Sequence, residues 1–319
     1  MPAPPPASEA GAGAPAGQPT AVAPQAAPAN LRLALRWMAG WLTLMTVIAV
    51  AGREATRTLS VWQVMILRSL IGLLLLWPLV RAAGGLRAMR TPRLAQHAAR
   101  NLVHYLAQAG WFLALGLIPL AQVVAIEFTM PIWTALLAAA FLAERIDRAK
   151  LLAIVLGLVG VGLIVRPLGA SPSAGQLVAL AAAVGFAVSV TMTKALTRTD
   201  HATQIMFWML VVQSLLGVVP AALSWRPLTP AVSGWVLVVA FCGTFSHYCM
   251  ARAMHHAEAT VIVPIDFLRV PLTALAGWAI YAERIDLLTL AGAALILGGN
   301  FLNVLRPTRR TWGERARRR

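Results

Sequence analysis

Ten stretches of the chain are almost continuously apolar, near residues 34–51, 61–80, 101–118, 121–142, 150–166, 176–193, 204–223, 233–250, 260–281 and 287–305. Each approaches the roughly 20 residues that an α-helix needs to cross a bilayer. Inside them, apolar and polar residues do not alternate with a period of two, which excludes a transmembrane β-barrel. The pattern predicts an all-α polytopic membrane protein of ten helices. The connections are short and leave no room for a separate soluble domain. Ten crossings put both ends of the chain on one side.

Composition supports that solvent. Of 319 residues, 59% are hydrophobic and 12% charged, against about 25% charged in a soluble domain. The net charge of +16 would suit a nucleic-acid partner if it formed one soluble face. It lies instead in the connections and the last tail, so bilayer orientation explains it and nucleic acid is excluded. With the N-terminus cytoplasmic, inner segments hold 20 Lys and Arg and outer loops hold 5. Positive charge marks the cytoplasmic side, so both termini are expected there, in the cell inner membrane. Residues 1–30 are Ala/Pro-rich and too poor in apolar bulk to order themselves. They lack the basic start and apolar core of a signal peptide. Residues 306–319 read as a basic cytoplasmic tail. Cys242 and Cys249 are seven residues apart, about 10 Å along a helix, too far for a disulfide; they read as buried filler.

The pentapeptide "AERID" occurs at 143–147 and again at 282–286. Around it, "EFTMPIWTALLAAAFLAERID" at 127–147 aligns without gaps with "DFLRVPLTALAGWAIYAERID" at 266–286. Glu127 meets Asp266, Phe128 meets Phe267, and "TAL" meets "TAL". Two copies of a five-helix unit follow, residues 31–166 and 167–305. An odd helix count makes the copies enter the membrane in opposite directions, an inverted repeat. The pentapeptide itself reads as a corner. Its Glu and Arg keep the turn wet, and Asp147 and Asp286 accept the free N–H groups of the next helix.

These features resemble the EamA-type transporters of the drug/metabolite transporter superfamily over roughly residues 31–305. The specific parts are "PIWTALLAAAFLAERID", "PLTALAGWAIYAERID" and "ARAMHHAEATVIVPIDF". The resemblance implies ten helices, a midplane site and small-metabolite transport, without naming the metabolite. Two departures stand out. Ala143 and Ala282 replace the glycine frequent before the family's Glu. Pro131 and Pro271 sit one place apart between the halves, which implies inequivalent kinks.

Charges inside a bilayer cost at least about 2.5–3.5 kcal/mol each, and usually face a cavity or a partner. Arg68, Glu127, Asp266 and Arg269 qualify. Asp266 and Arg269 share a helical face, and Arg68 and Glu127 lie at similar depth. Two readings stand: a pair of structural ion pairs, or a substrate-binding cavity with a proton-handling acid. Function is favoured for Arg269 and Glu127. Pro131, Pro264 and Pro271 mark helix breaks where backbone can line a cavity. Pro264 and Pro271 flank the acid and the arginine.

His104, Gln108 and Trp111 fall at i, i+4 and i+7, a stripe that faces protein rather than lipid. Glu127, Asp266 and His104 are the proton-coupling candidates, a histidine titrating near pH 6.5 when unperturbed. His247 with Tyr248 is a second polar insertion. Asn300 and Asn303 are expected to stitch the last helix to its neighbours. Trp41, Trp133 and Trp208 lie deep, as core packing or as stacking surfaces. His255, His256 and Glu258 do not converge on a metal. No GxSxG, HExxH or Walker pattern occurs, so neither an enzyme nor an ATP engine is expected, and no cofactor.

The reading that gathers these observations is a secondary transporter working by alternating access, as a monomer or homodimer. Its cargo is a small polar or amphipathic metabolite, amino-acid-like or carboxylate-bearing. Export is favoured over import by the resemblance alone, and protons are the candidate coupling ion. The alternative is a non-transporting membrane sensor or scaffold that docks a partner through its tails.

Overall fold

The computed structural model describes residues 30–142, 148–165, 172–197, 199–257, 262, 265–284 and 286–304. Among the described residues the regular structure is entirely helical. The helices are α1 (Leu31–Thr58), α2 (Val61–Ala82), α3 (Leu94–Leu117), α4 (Leu120–Glu127), α5 (Met130–Leu142) and α6 (Arg148–Val165). They continue as α7 (Ala174–Leu196), α8 (Ala202–Leu223), α9 (Pro230–His256), α10 (Arg269–Tyr281) and α11 (Leu287–Val304). The first "AERID", the 1–29 and 305–319 tails and Pro264 lie outside the described residues.

Local chemistry starts these helices where the apolar runs begin. Ser60 accepts from the backbone N–H of Gln63. Ser173 and Gln176 close a reciprocal capping box, and Thr229 caps α9 with Pro230 at its first turn. Each satisfies donors that a helix start leaves without intrahelical partners. At the second "AERID", Asp286 accepts from Thr289 N at 2.9 Å and caps α11. Glu283 departs from the expectation of a wet turn. Its side chain is 10% exposed, paired with Arg53 of α1, and accepts from Leu120 N of α4 at 3.0 Å. Only Arg284 of that Glu–Arg pair is open to solvent.

Polarity is distributed inside out. Leu74, Leu215, Val219, Leu237 and Trp278 are exposed, while Gln63, Arg68, Asn101 and Gln213 are buried. In water that arrangement would leave apolar surface far beyond what a monomer tolerates; in lipid it is the required one. Six segments are long and apolar enough to cross a membrane: Leu31–Thr58, Val61–Ala82, Leu120–Leu137, Ala174–Thr193, Ala202–Leu223 and Pro230–His256. α3 falls outside that set because it carries His97, Arg100, Asn101, His104 and Gln108.

The duplication read from the sequence recurs in the element bounds. α5 and α10 each have 13 residues, α6 and α11 each have 18. Both pairs keep the same 139-residue separation (130 to 269, 148 to 287). The heaviest packing joins the halves rather than filling them. α1 packs on α9 as α7 packs on α3, α2 packs on α8, and α6 on α11. The packing of α1 on α9 thus has a counterpart in that of α7 on α3. The correspondence extends to single residues. A Cβ on Gly160 would sit 2.6 Å from the Gly292 carbonyl, and one on Gly299 would sit 2.9 Å from that of Ala153. Small residues let these two backbones touch.

The two ends of the bundle are tied differently. At one end the Arg53–Glu283 pair joins Tyr281, whose hydroxyl donates to Glu54 at 2.8 Å. At the other end, Asp200 in the α7–α8 turn receives Thr91 Oγ1 at 2.7 Å and lies 2.6 Å from His97 Nε2. Burial pushes the Asp200 carboxyl up, but hydrogen bonds with His97, Thr91 and Thr199 outweigh it and hold the group below its ordinary 3.8. A carboxyl whose folded pKa is depressed stabilises the fold above its unfolded pKa, and that contribution fades as pH falls through the folded value.

Two outcomes are expected. Gly160→Leu should separate α6 from α11 and destabilise by about 1–3 kcal/mol or more, while Gly298→Ala, which meets nothing within 4 Å, should be silent. Thermal melts of the purified protein in detergent check both. Asp200→Asn should melt below the parent at neutral pH, and the gap should close as pH drops through about 4 and lower.

Candidate functional site

The chain breaks at the same aligned place in each half. α4 stops at Glu127 and α5 resumes at Met130; the backbone turns at Phe267–Leu268 and α10 starts at Arg269. Pro131 is the second residue of α5 and Pro271 the third of α10, where a missing N–H costs no hydrogen bond. The one-place offset of the prolines therefore leaves the breaks equivalent, contrary to the sequence expectation. Freed backbone groups find partners. Asn300 Nδ2 donates to the Phe128 carbonyl at 2.7 Å, and Thr129 Oγ1 to that of Ile126 at 2.7 Å. The aligned rings of Phe128 and Phe267 meet edge to face, centroids 5.3 Å apart.

These breaks bring three charges together. Arg269 Nε donates to Asp266 Oδ1 at 2.9 Å, its Nη2 to Asp266 Oδ2 at 3.3 Å, and its Nη1 to Glu127 Oε1 at 2.9 Å. Two indoles complete the shell. Trp111 Nε1 donates to Glu127 Oε2 at 2.9 Å, and Trp41 Nε1 to Asp266 Oδ1 at 2.5 Å. The guanidinium lies 4.6 Å from the Phe128 ring centroid, a cation–π contact. Glu127 and Asp266 nonetheless keep 17% and 15% of their side chains accessible.

Arg68 does not pair with Glu127, as its depth had suggested. Packing of α2 on α8 and α9 turns it to a separate polar cluster. Its Nη1 donates to Gln108 Oε1 at 2.7 Å and to Gln213 Oε1 at 3.4 Å. Arg100, one stripe position below His104 on α3, donates to Thr193 Oγ1 at 3.0 Å and to Asn101 Oδ1 at 2.7 Å. Both arginines rest on neutral oxygens. His104 Nδ1 lies 3.2 Å from Ser189 Oγ. His247 keeps an exposed ring 6.1 Å from Trp41, yet lies within electrostatic reach of Arg68 and Arg100.

The stripe His104, Gln108, Trp111 does face protein, and it links the two clusters: Gln108 holds Arg68 and Trp111 holds Glu127. Gln213 and Arg100 were missed in the sequence. Gln213 was a lone amide inside an apolar run, a visible signal; Arg100 had been counted with the loops. Trp41 reads from structure as a hydrogen-bond donor to Asp266, not simple packing. Among the described residues no group of three His, Cys, Asp or Glu side chains could hold a metal ion.

The family model described as "EamA-like transporter family" matches residues 33–166 and again residues 173–305. The chain is 31% identical over 236 residues to a riboflavin transporter of Brucella anthropi, covering 72% of this chain and 83% of the relative. It is 30% identical over 251 residues to the pseudopaline exporter CntI of Pseudomonas aeruginosa, covering 77% and 86%. With an S-adenosylmethionine uptake transporter of Rickettsia bellii it shares 25% over 262 residues, covering 81% and 90%. All three relatives are named as transporters rather than enzymes.

Removing the shared cation should hurt more than removing either acid. Arg269→Gln leaves two carboxylates facing each other and is expected to destabilise by about 3–5 kcal/mol, whereas Glu127→Gln keeps the Arg269–Asp266 fork. Melting midpoints of the two purified variants give the order.

Proposed function

The chain belongs to the EamA-like transporter family, and on that premise we propose that it is a secondary transporter carrying a small polar or amphipathic metabolite by alternating access. The cargo is amino-acid-like or carboxylate-bearing. The host is the cell inner membrane, crossed ten times with both termini cytoplasmic. The two five-helix units, 31–166 and 167–305, enter it in opposite directions.

One observation carries this reading. Both helix breaks fall at aligned positions, and the charges at those breaks bind each other across the halves through Arg269. Broken helices whose exposed backbone and charges meet near mid-depth are the usual substrate site of inverted-repeat transporters. The accessible faces of Glu127 and Asp266 supply groups able to take a proton, and His104 lies two turns from Trp111 on the same face of α3. Protonation of either acid weakens its hold on Arg269, so a proton and the contact between halves are coupled by the same bonds. Rocking of one half on the other would pass through that contact.

Support for direction comes from the relatives' names alone, and they include an exporter and an uptake transporter. Export is retained as the reading. Different cargo within one family makes the cargo a property of cavity side chains rather than of the fold.

Two measurements test the proposal. Cells with and without the protein should differ in the distribution of a small metabolite between cytoplasm and medium; identical profiles across growth conditions count against transport. In proteoliposomes loaded with that metabolite, Glu127→Gln or Asp266→Asn should lose flux driven by a pH gradient while the protein stays in the membrane. Unchanged coupling in both variants removes the proton from the mechanism.

A further inference from the structure

Arg68 presents a mismatch that the Arg269 network does not share. Arg269 is answered by two carboxylates. Arg68 is 4% exposed and, among the described residues, bonds only to the amide oxygens of Gln108 and Gln213. A buried cation without a counter-charge costs several kcal/mol, and sequences lose such groups unless something repays them. The surroundings do not. Arg100 on the same face of α3 is a second cation resting on neutral oxygens, and the nearby titratable groups are His104 and His247. Among the described residues no acid enters this cluster.

What stands unpaired here is all of one kind. Arg68 Nε, Gln213 Nε2 and Tyr105 Oη are buried with no hydrogen-bond partner. Each can donate. They come from α2, α8 and α3, so three helices aim unanswered donors at one region. Two glycines let the backbone press close to them. A Cβ on Gly243 would stand 3.0 Å from Arg68 Nε and 3.6 Å from Nη2, and one on Gly217 would stand 3.1 Å from Tyr105 Oη. A group that answers these donors must bring acceptors and negative charge.

Building on the transporter reading above, we propose that Arg68, with Gln213 and Tyr105, binds the carboxylate of the cargo, and that Arg269 does not. A planar carboxylate matches the fork of a guanidinium edge with its Nε and one Nη. Arg269 is disqualified because its Nε and both Nη atoms already serve Asp266 and Glu127. The two arginines thus divide the work. One fastens the halves to each other, and the other waits for the charge that the cargo brings.

The test uses the purified full-length chain in detergent, with propionate as the carboxylate probe and propionamide as its neutral match, at constant ionic strength. Propionate should raise the thermal midpoint in a saturable way and propionamide should not. Arg68→Gln should lose that response, with affinity weakened about tenfold or more, and should melt at or above the parent, since an unpaired buried charge has been removed. Gly243→Ala keeps the charge but crowds Nε with a Cβ at 3.0 Å, and should also lose the response. The proposal is overturned if propionate gives no shift in the parent, or if Arg68→Gln keeps the shift. It is equally overturned if Arg68→Gln melts as low as Arg269→Gln, which makes Arg68 structural, or if chloride or inorganic phosphate matches propionate, which makes the pocket a simple ion site. Metabolite flux in cells without a propionate response would remove this site and leave the transporter reading intact. A propionate response without flux would do the reverse.

Discussion

The bond from Arg269 to both Glu127 and Asp266 is the contact on which the rest of the structure turns. In a bilayer interior none of the three charges is tolerable alone, and together they need each other's geometry. Meeting requires that α4 end at Glu127 and that α10 begin at Arg269, so the helix breaks and the ion network are one feature. The breaks in turn require partners for freed backbone, which Asn300 and Thr129 supply. Because Glu127 belongs to the first half and the other two charges to the second, the contact also fixes how the halves meet.

Around it, lipid rather than water decides what is cheap. Apolar side chains gain nothing by leaving a bilayer for the protein interior, so helix association rests on close packing and on polar contacts. Both are present at matched places: glycines between α6 and α11, and hydrogen-bonded side chains on α3. The strongest packing interleaves the halves, α1 with α9 and α3 with α7. A chain built so cannot separate into two independent units, yet its two ends are fastened by quite different bonds. Arg53 and Glu283 hold one end, Asp200 with His97 the other. The alternating access proposed above requires such ends to open in turn.

Much of the site was legible in the sequence because charge is rare in apolar runs. Arg68, Glu127, Asp266 and Arg269 were visible as exceptions, and the α3 stripe as a periodicity. Their partners were not. Depth along two helices paired Arg68 with Glu127, but rotation of each helix about its axis decides contact, and packing against α8 and α9 sets that rotation for α2. Glu283 is the converse case. Its neighbours in sequence are a solvent-exposed corner, and only the approach of α1 and α4 buries it.

The sequence by itself determined the solvent, the helices and the duplication, because apolar run length and an aligned repeat are local or additive properties of the chain. It also pointed to breaks close to Pro131 and Pro271, since proline and charge mark those places. Only the tertiary structure decided which charge answers which, leaving one arginine doubly paired and another without a counter-ion among the described residues. Ion pairing depends on distances of a few ångströms between residues more than a hundred positions apart. Helical periodicity carries no such information across a loop, and the packed backbone does.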